Sequence, residues 1–339
     1  MRGGGEMGRN ILVDRLKGYA CFLVLFGHVI RGVRTAGIDI PQFFFGMETF
    51  IWSFHVALFL FLSGVVYHMR GDWQAYKTRR AFILNKLLSL GVPYVVFSFV
   101  YIFINSMVGE ANTQSSLRDV LLIWKAPVAQ YWYLYALFFL FCIWCALSGV
   151  LKNWQITLFA LVVAYGVPLL GGSLGCFAVV FYSSLAFGLG TFVDFSRLSK
   201  ASAYVKWGVV ILHIALGVVT VRLSIIEAPF VKELMLVYGI YASVLLISML
   251  QKVKPFADFL DFVNKYSFQI YLLHTIFTAG VRIILLRLGV TQWYIHVPVG
   301  TVCGLAFSVL SATIAKKTGF LDLFFFPTKA HKKERVIQK

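Results

Sequence analysis

The chain has 339 residues, of which 60% are hydrophobic and only 13% charged, with a mean hydropathy of +0.81. No soluble globular domain needs that much apolar surface, so the composition excludes one and points to an all-α, polytopic membrane protein. The net charge of +17 comes from short, scattered basic clusters. These fit loop charges near anionic lipid and argue against nucleic-acid binding.

Residues 1–13, with Gly3-Gly4-Gly5 beside arginines, read as a flexible cytoplasmic tail, and residues 14–315 as one transmembrane domain. About ten transmembrane helices are predicted, at 16–36, 50–68, 86–107, 131–150, 155–170, 175–193, 205–221, 234–250, 267–286 and 294–315. The first apolar run is not a cleavable signal, because Lys17 and Arg31 bracket it and further spans follow. Most Lys and Arg, including Arg70, Lys77, Arg79, Arg80 and Lys86, fall on one side if the N-terminus is inside. Positive charge marks the cytoplasmic side, so both termini are expected there. Residues 316–339 form a basic cytoplasmic tail, and all chemistry is expected within the membrane or at its edges.

Span one opens Asp14-Arg15-Leu16-Lys17-Gly18 and carries His28 deep in its apolar run. Hydrocarbon penalises an ionisable side chain by several kcal/mol, so each one tolerated there needs a reason. Lys17 and His28 are eleven residues apart, which puts them within roughly 20° of one helix face and about 16 Å apart along the axis. One face thus carries a cation at the cytoplasmic edge and an imidazole past mid-depth. That layout suits a long anionic cofactor whose reactive end must reach mid-membrane. Asp14 either pairs with Lys17 or is a helix-start acid.

His55 lies five residues into the outer end of span two, at a depth similar to that of His28. A lone histidine on an apolar face is more often structural, but two at one level read as a proton-handling site, since imidazole titrates near neutrality. Further on, Ser63-Gly64 suits close helix packing. The basic group Lys77, Arg79, Arg80 and Lys86 opens span three, where it either follows topology or holds phosphates. Pro93 should kink that span. The connection at 108–130 is polar and faces an arriving substrate, and Tyr131-Trp132-Tyr133 sit where an aromatic belt is expected. Cys142 and Cys145 lack metal-site company, so all five cysteines read as small core residues, with no disulfide and no metal expected. On span nine, His274 either lines a cofactor tunnel or bonds between helices, while Arg282 is expected to snorkel outward; His213 and His296 read as structural.

Several of these motifs are collinear with a known pattern. They are Asp14-x-Leu16-Lys17-Gly18 with His28; Phe54-His55-x-x-Leu58-Phe59-x-x-Leu62-Ser63-Gly64; Lys86-Leu87-Leu88 with Val92-Pro93-Tyr94; Tyr131-Trp132-Tyr133-Leu134; and Ser267-x-x-Ile270-Tyr271-Leu272-Leu273-His274. In this order the chain resembles the acyltransferase-3 superfamily of integral membrane acyltransferases, nearest its fucose 4-O-acetylase-like branch. The resemblance implies a ten-helix domain that moves an acyl group, usually acetyl from acetyl-CoA, onto a hydroxyl of an envelope glycan or lipid-linked sugar. It also implies that the basic residue eleven positions before the first-helix histidine is functional; that residue is often arginine and is Lys17 here.

On this reading His28 is the general base. His55 orients the acceptor, shares the proton or polarises the thioester. Lys17, Arg79, Arg80, Lys86 and His274 hold the cofactor, Tyr131, Trp132 and Tyr133 stack on the sugar, and Asp14 and Ser63 lend support. The expected location is the bacterial cytoplasmic membrane. The alternative is a proton-coupled transporter or flippase of a lipid-linked sugar. Such proteins usually show repeated halves with broken helices in corresponding places, and Pro93 and Pro298 do not match in context. A non-catalytic scaffold is a third possibility, which the His28, His55 and Lys17 group argues against.

Overall fold

A computed structural model describes residues 10–107 and 116–318. Most of the expected N-terminal tail, part of the polar connection and most of the basic tail lie outside the described residues. Among the described residues there are helices and no strands. In chain order they are α1 (Ile11–Thr35), α2 (Gln42–Trp52), α3 (His55–Met69), α4 (Arg79–Lys86), α5 (Val92–Met107), α6 (Trp132–Leu147), α7 (Asn153–Leu169), α8 (Ala178–Tyr182), α9 (Ser184–Phe192) and α10 (Phe195–Leu198). They continue as α11 (Ala203–Arg222), α12 (Val231–Leu250), α13 (Lys254–Lys265), α14 (Ser267–Arg287) and α15 (Trp293–Thr318).

Nine stretches among the described residues are long and apolar enough to cross a membrane: α1, α2–α3, α4–α5, α6, α8–α9, α11, α12, α14 and α15. The tenth expected span, α7, has 17 residues. At about 1.5 Å per residue it reaches some 26 Å, a little short of the hydrocarbon thickness. The chain is an all-α, multi-pass membrane protein. On the periphery, Val95, Phe99 and Phe103 of α5 form an exposed stripe at intervals of four, as do Ile214 and Val218 of α11. These are the faces that meet lipid.

The helices differ from the predicted spans in three informative places. Span two begins at Gln42 rather than 50 and is broken at Ser53-Phe54, where Phe54 leaves helical geometry (φ −141°) and His55 opens α3. Glu48 looks like the edge of an apolar run, yet it is 1% exposed and paired, so its charge ends nothing. Span three begins at Arg79, where the Thr78 side chain accepts a hydrogen bond from Ala81 N at 3.1 Å. A π-helical turn, Leu87–Gly91, precedes Pro93. The proline has no N–H to give, and the wider turn accommodates the lost bond. Last, α13 fills a stretch that hydropathy leaves between spans. Its buried residues, Ala257, Leu260 and Val263, recur every three residues against an otherwise polar face.

α1 lies at the centre, in contact with α2, α3, α12, α13, α14 and α15. Two close approaches fix it and its neighbours. A Cβ on Gly18 would stand 2.2 Å from the Leu260 carbonyl oxygen of α13. Beside it, Arg15 forms an ion pair with Asp261 at 3.0 Å and donates to the Gln251 carbonyl at 3.3 Å. Where α3 crosses α9, Gly64 and Gly190 each meet backbone: a Cβ on either would lie 2.1 Å from the Phe187 or the Phe61 carbonyl oxygen.

Candidate active site

The residues of α1 that border open space are Lys17, Val24, His28, Arg31, Gly32 and Thr35. Their intervals of seven, four, three, one and three trace one helical face. That face lines a single cavity of about 1610 Å³, whose other walls include Ser63 on α3, Trp132 and Tyr133 on α6, and Tyr271 and Arg282 on α14. From Lys17 to Thr35 is about 27 Å of helix rise, so the cavity runs along nearly the full thickness of the membrane.

Three histidines meet at mid-length of this face. The His28 ring is 5.1 Å from that of His274 and 4.9 Å from that of Trp52, and Trp52 in turn is 4.6 Å from His55. His28 is partly exposed to the cavity, whereas His55 and His274 are wholly buried. The Nδ1 of His55 bonds to the Ile51 carbonyl at 2.7 Å, and that of His274 to the Ile270 and Tyr271 carbonyls at 2.8 and 3.0 Å. A carbonyl only accepts, so Nδ1 carries the proton in both rings. The neutral tautomer then leaves Nε2 as a lone pair, and in both residues this atom has no hydrogen-bond partner among the described residues. Chemically, His28 meets the cavity, and two rings with their tautomers set by the backbone stand behind it.

This arrangement alters two sequence expectations. His28 and His55 share a level, but the Trp52 ring contacts both, because α2 extends the second span outward and the break at Ser53-Phe54 turns His55 in behind it. His274 does not line the cavity; its Nδ1 bonds tie it to its own helix.

Glu48, Trp52 and Arg31 were not singled out by sequence as site residues. Glu48 accepts from Arg31 Nε at 2.7 Å, Arg34 Nε at 2.9 Å and Trp52 Nε1 at 3.1 Å. The Arg31 guanidinium also lies 3.8 Å from the centre of the Trp52 ring. One carboxylate thus fixes the indole that packs on His28 and His55. The available signal was Arg31 and Arg34, three apart at the end of α1, matched to a glutamate inside an apolar run.

The remaining predicted residues divide. Lys17, Ser63, Trp132 and Tyr133 line the cavity, and Ser63 is 3.2 Å from the Tyr133 hydroxyl. Asp14 is half-buried on α1 and does not line it. Tyr131 is buried and donates to the Leu272 carbonyl at 2.7 Å, while Tyr271 donates back to the Gln130 carbonyl at 2.6 Å, which locks α6 to α14. Arg79, Arg80 and Lys86 do not line the cavity. Arg79 donates to the Ala146 carbonyl at 3.1 Å and covers Trp73; Lys86 sits 3.8 Å from the centre of Phe141; Arg80 is exposed. Arg282 does not snorkel outward. It is 8% exposed, with Nη1 2.3 Å from where a Cβ on Gly32 would stand.

The fold and the cavity with its cluster of imidazoles along the first helix define a multi-pass membrane protein with a membrane-embedded site. Residues 10–315 match the acyltransferase-3 family, described as an acyltransferase domain, and the chain belongs to that family. It is a membrane acyltransferase. Neither a curated protein nor a solved structure matches the chain.

Proposed function

We propose that the protein transfers an acyl group, acetyl in the first instance, from acyl-CoA to a hydroxyl of an envelope or exported glycan, and that His28 is the general base. The proposed setting is the bacterial cytoplasmic membrane, with the Lys17 end of the cavity in the cytoplasm. The single observation that supports this most is that His28 is the member of the histidine cluster that borders the cavity, with Lys17 on the same wall. The glycan acceptor rests on the motifs shared with the fucose 4-O-acetylase-like branch.

In the reaction, a lone pair on a neutral His28 takes the proton of the acceptor hydroxyl as its oxygen attacks the thioester carbonyl. The carbon–sulfur bond breaks, and the thiolate of CoA leaves and takes the proton back from His28. The products are the ester and free CoA. Lys17, about 16 Å below His28, holds CoA phosphates while the pantetheine arm spans the interval. His55 and His274, with Nδ1–H committed to carbonyls, are each held in one tautomer behind His28. Trp132 and Tyr133 offer faces for a sugar ring. Arg79, Arg80 and Lys86 play a lesser part than the sequence suggested, since two of them are engaged by the protein itself.

The test is mass spectrometry of envelope glycans from cells with the gene, without it, and with His28→Ala. An acyl mass increment that is lost on deletion and not restored by His28→Ala is the expected result. Identical glycans in all three strains would overturn the assignment.

A further inference from the structure

Resting on the acyl-transfer reading of the cavity, we infer that the acceptor is anionic, and that Arg282 binds its carboxylate or phosphate on the side of His28 away from Lys17. Arg282 belongs to α14, eight residues beyond His274, and its guanidinium lies against Gly32, one turn beyond His28. One turn is about 6 Å and eight residues about 12 Å of rise. The charge therefore sits one to two sugar-ring widths from the histidine cluster. Lys17 is about 16 Å away from His28 in the other direction.

A cation this buried needs a counter-charge, and the carboxylates of the cavity lining and of the adjoining Arg31 cluster are committed elsewhere. Glu48 is taken by Arg31 and Arg34 at 2.7 and 2.9 Å. Of the two glutamates that line the cavity, Glu227 pairs with Lys232 at 2.8 Å, and Glu233 accepts from the Tyr165 hydroxyl and from Phe230 N. The guanidinium is the side chain best suited to a planar oxyanion, which it can bind with two parallel hydrogen bonds. Tyr101, Gln130 and Thr275 line the cavity with it, and Gln130 donates to Thr275 at 2.6 Å. These supply the neutral hydrogen bonds that a sugar ring beside the anion needs. A uronate or a sugar phosphate has this chemistry; a neutral hexose lacks the anion.

The experiment is titration calorimetry on the full-length protein in detergent, with glucuronate, glucose 1-phosphate and glucose as probes. At least one anion should bind tenfold or more tightly than glucose, and which one does so separates a carboxylate acceptor from a phosphate-bearing one. Arg282→Gln should bring that anion to within about threefold of glucose, and Arg282→Lys should retain part of the preference. If Arg282→Gln fails to fold, Gly32→Ala reports instead, because its methyl displaces the guanidinium and should weaken the anion while leaving the charge in place. Equal affinity for the three probes, or a preference that survives in these variants, would overturn the inference. Competition between CoA and the anion would also overturn it, by assigning Arg282 to the donor. No turnover is read, so failure of the acyl-transfer reading shows separately, as absent acylation in cells.

Discussion

At the scale of single residues, the buried carboxylate of Glu48 holds two guanidiniums and an indole, and through the indole it sets the wall behind His28. Glu48→Ala removes four hydrogen bonds, three of them between charged groups. The arginines are partly exposed and recover water, so the expected loss is on the order of 1–3 kcal/mol rather than the full cost of a stranded buried charge. Thermal unfolding in detergent reads it; an unchanged midpoint would show that the carboxylate holds nothing. Lys17 gives a second prediction. Lys17→Ala should weaken CoA binding and make the remainder less sensitive to salt, whereas Lys17→Arg should keep much of the affinity because charge dominates. Equal CoA affinity in all three proteins would remove Lys17 from the site. His28 and Lys17 were legible in the sequence because hydrocarbon makes each ionisable side chain conspicuous. Trp52 was not, since an aromatic residue near an interface is expected in any membrane protein. Arg282 was misjudged for a related reason: a long cation near a helix end usually snorkels, and only the packing of α14 on Gly32 shows that this one turns inward.

The elements were legible where hydropathy alone decides. Nine of the ten expected spans follow from apolar runs of sufficient length, and their order needs no tertiary information. The break at Ser53-Phe54 and the position of α13 were not, because both depend on partners. α13 is amphipathic and becomes buried only by resting on Gly18 and Arg15 of α1. Gly18→Ala should therefore destabilise by about 1–3 kcal/mol, since its methyl meets a backbone oxygen that cannot move aside. Gly64→Ala should do the same at the α3–α9 crossing. Gly208→Ala on α11, where a methyl meets open space, should be neutral or slightly stabilising through helix propensity. Melting midpoints of the three variants check this: two downward shifts and one flat or upward shift are expected, and a common shift would show that the close approaches are not limiting. The sequence also left Ser63-Gly64 as one packing motif. The structure divides it, with Gly64 in the helix crossing and the Ser63 hydroxyl on the cavity wall.

Across the whole molecule, the cavity runs along α1 from Lys17 past His28 to Thr35, and no span taken alone reveals it. Its existence depends on α1, α3, α6 and α14 leaving one face of α1 uncovered. The proposed orientation, which follows the rule that positive charge marks the cytoplasmic side, puts the Lys17 end of that cavity inside. Single cysteines in a cysteine-free background test this: one at Lys232 should react with an impermeant maleimide added to intact cells, and one at Lys254 only after lysis. The opposite pattern would invert the assignment of donor and acceptor ends. The central claim is that His28 takes the hydroxyl proton in acyl transfer. It is tested most directly by acceptor-dependent thiol release from acetyl-CoA, measured on purified protein in detergent as a function of pH. A base must be neutral to act, so release should fall as pH drops through the His28 titration, and His28→Ala should lower it by about 10²–10⁴ at every pH. Release that persists at the wild-type rate in a folded His28→Ala protein would contradict the account.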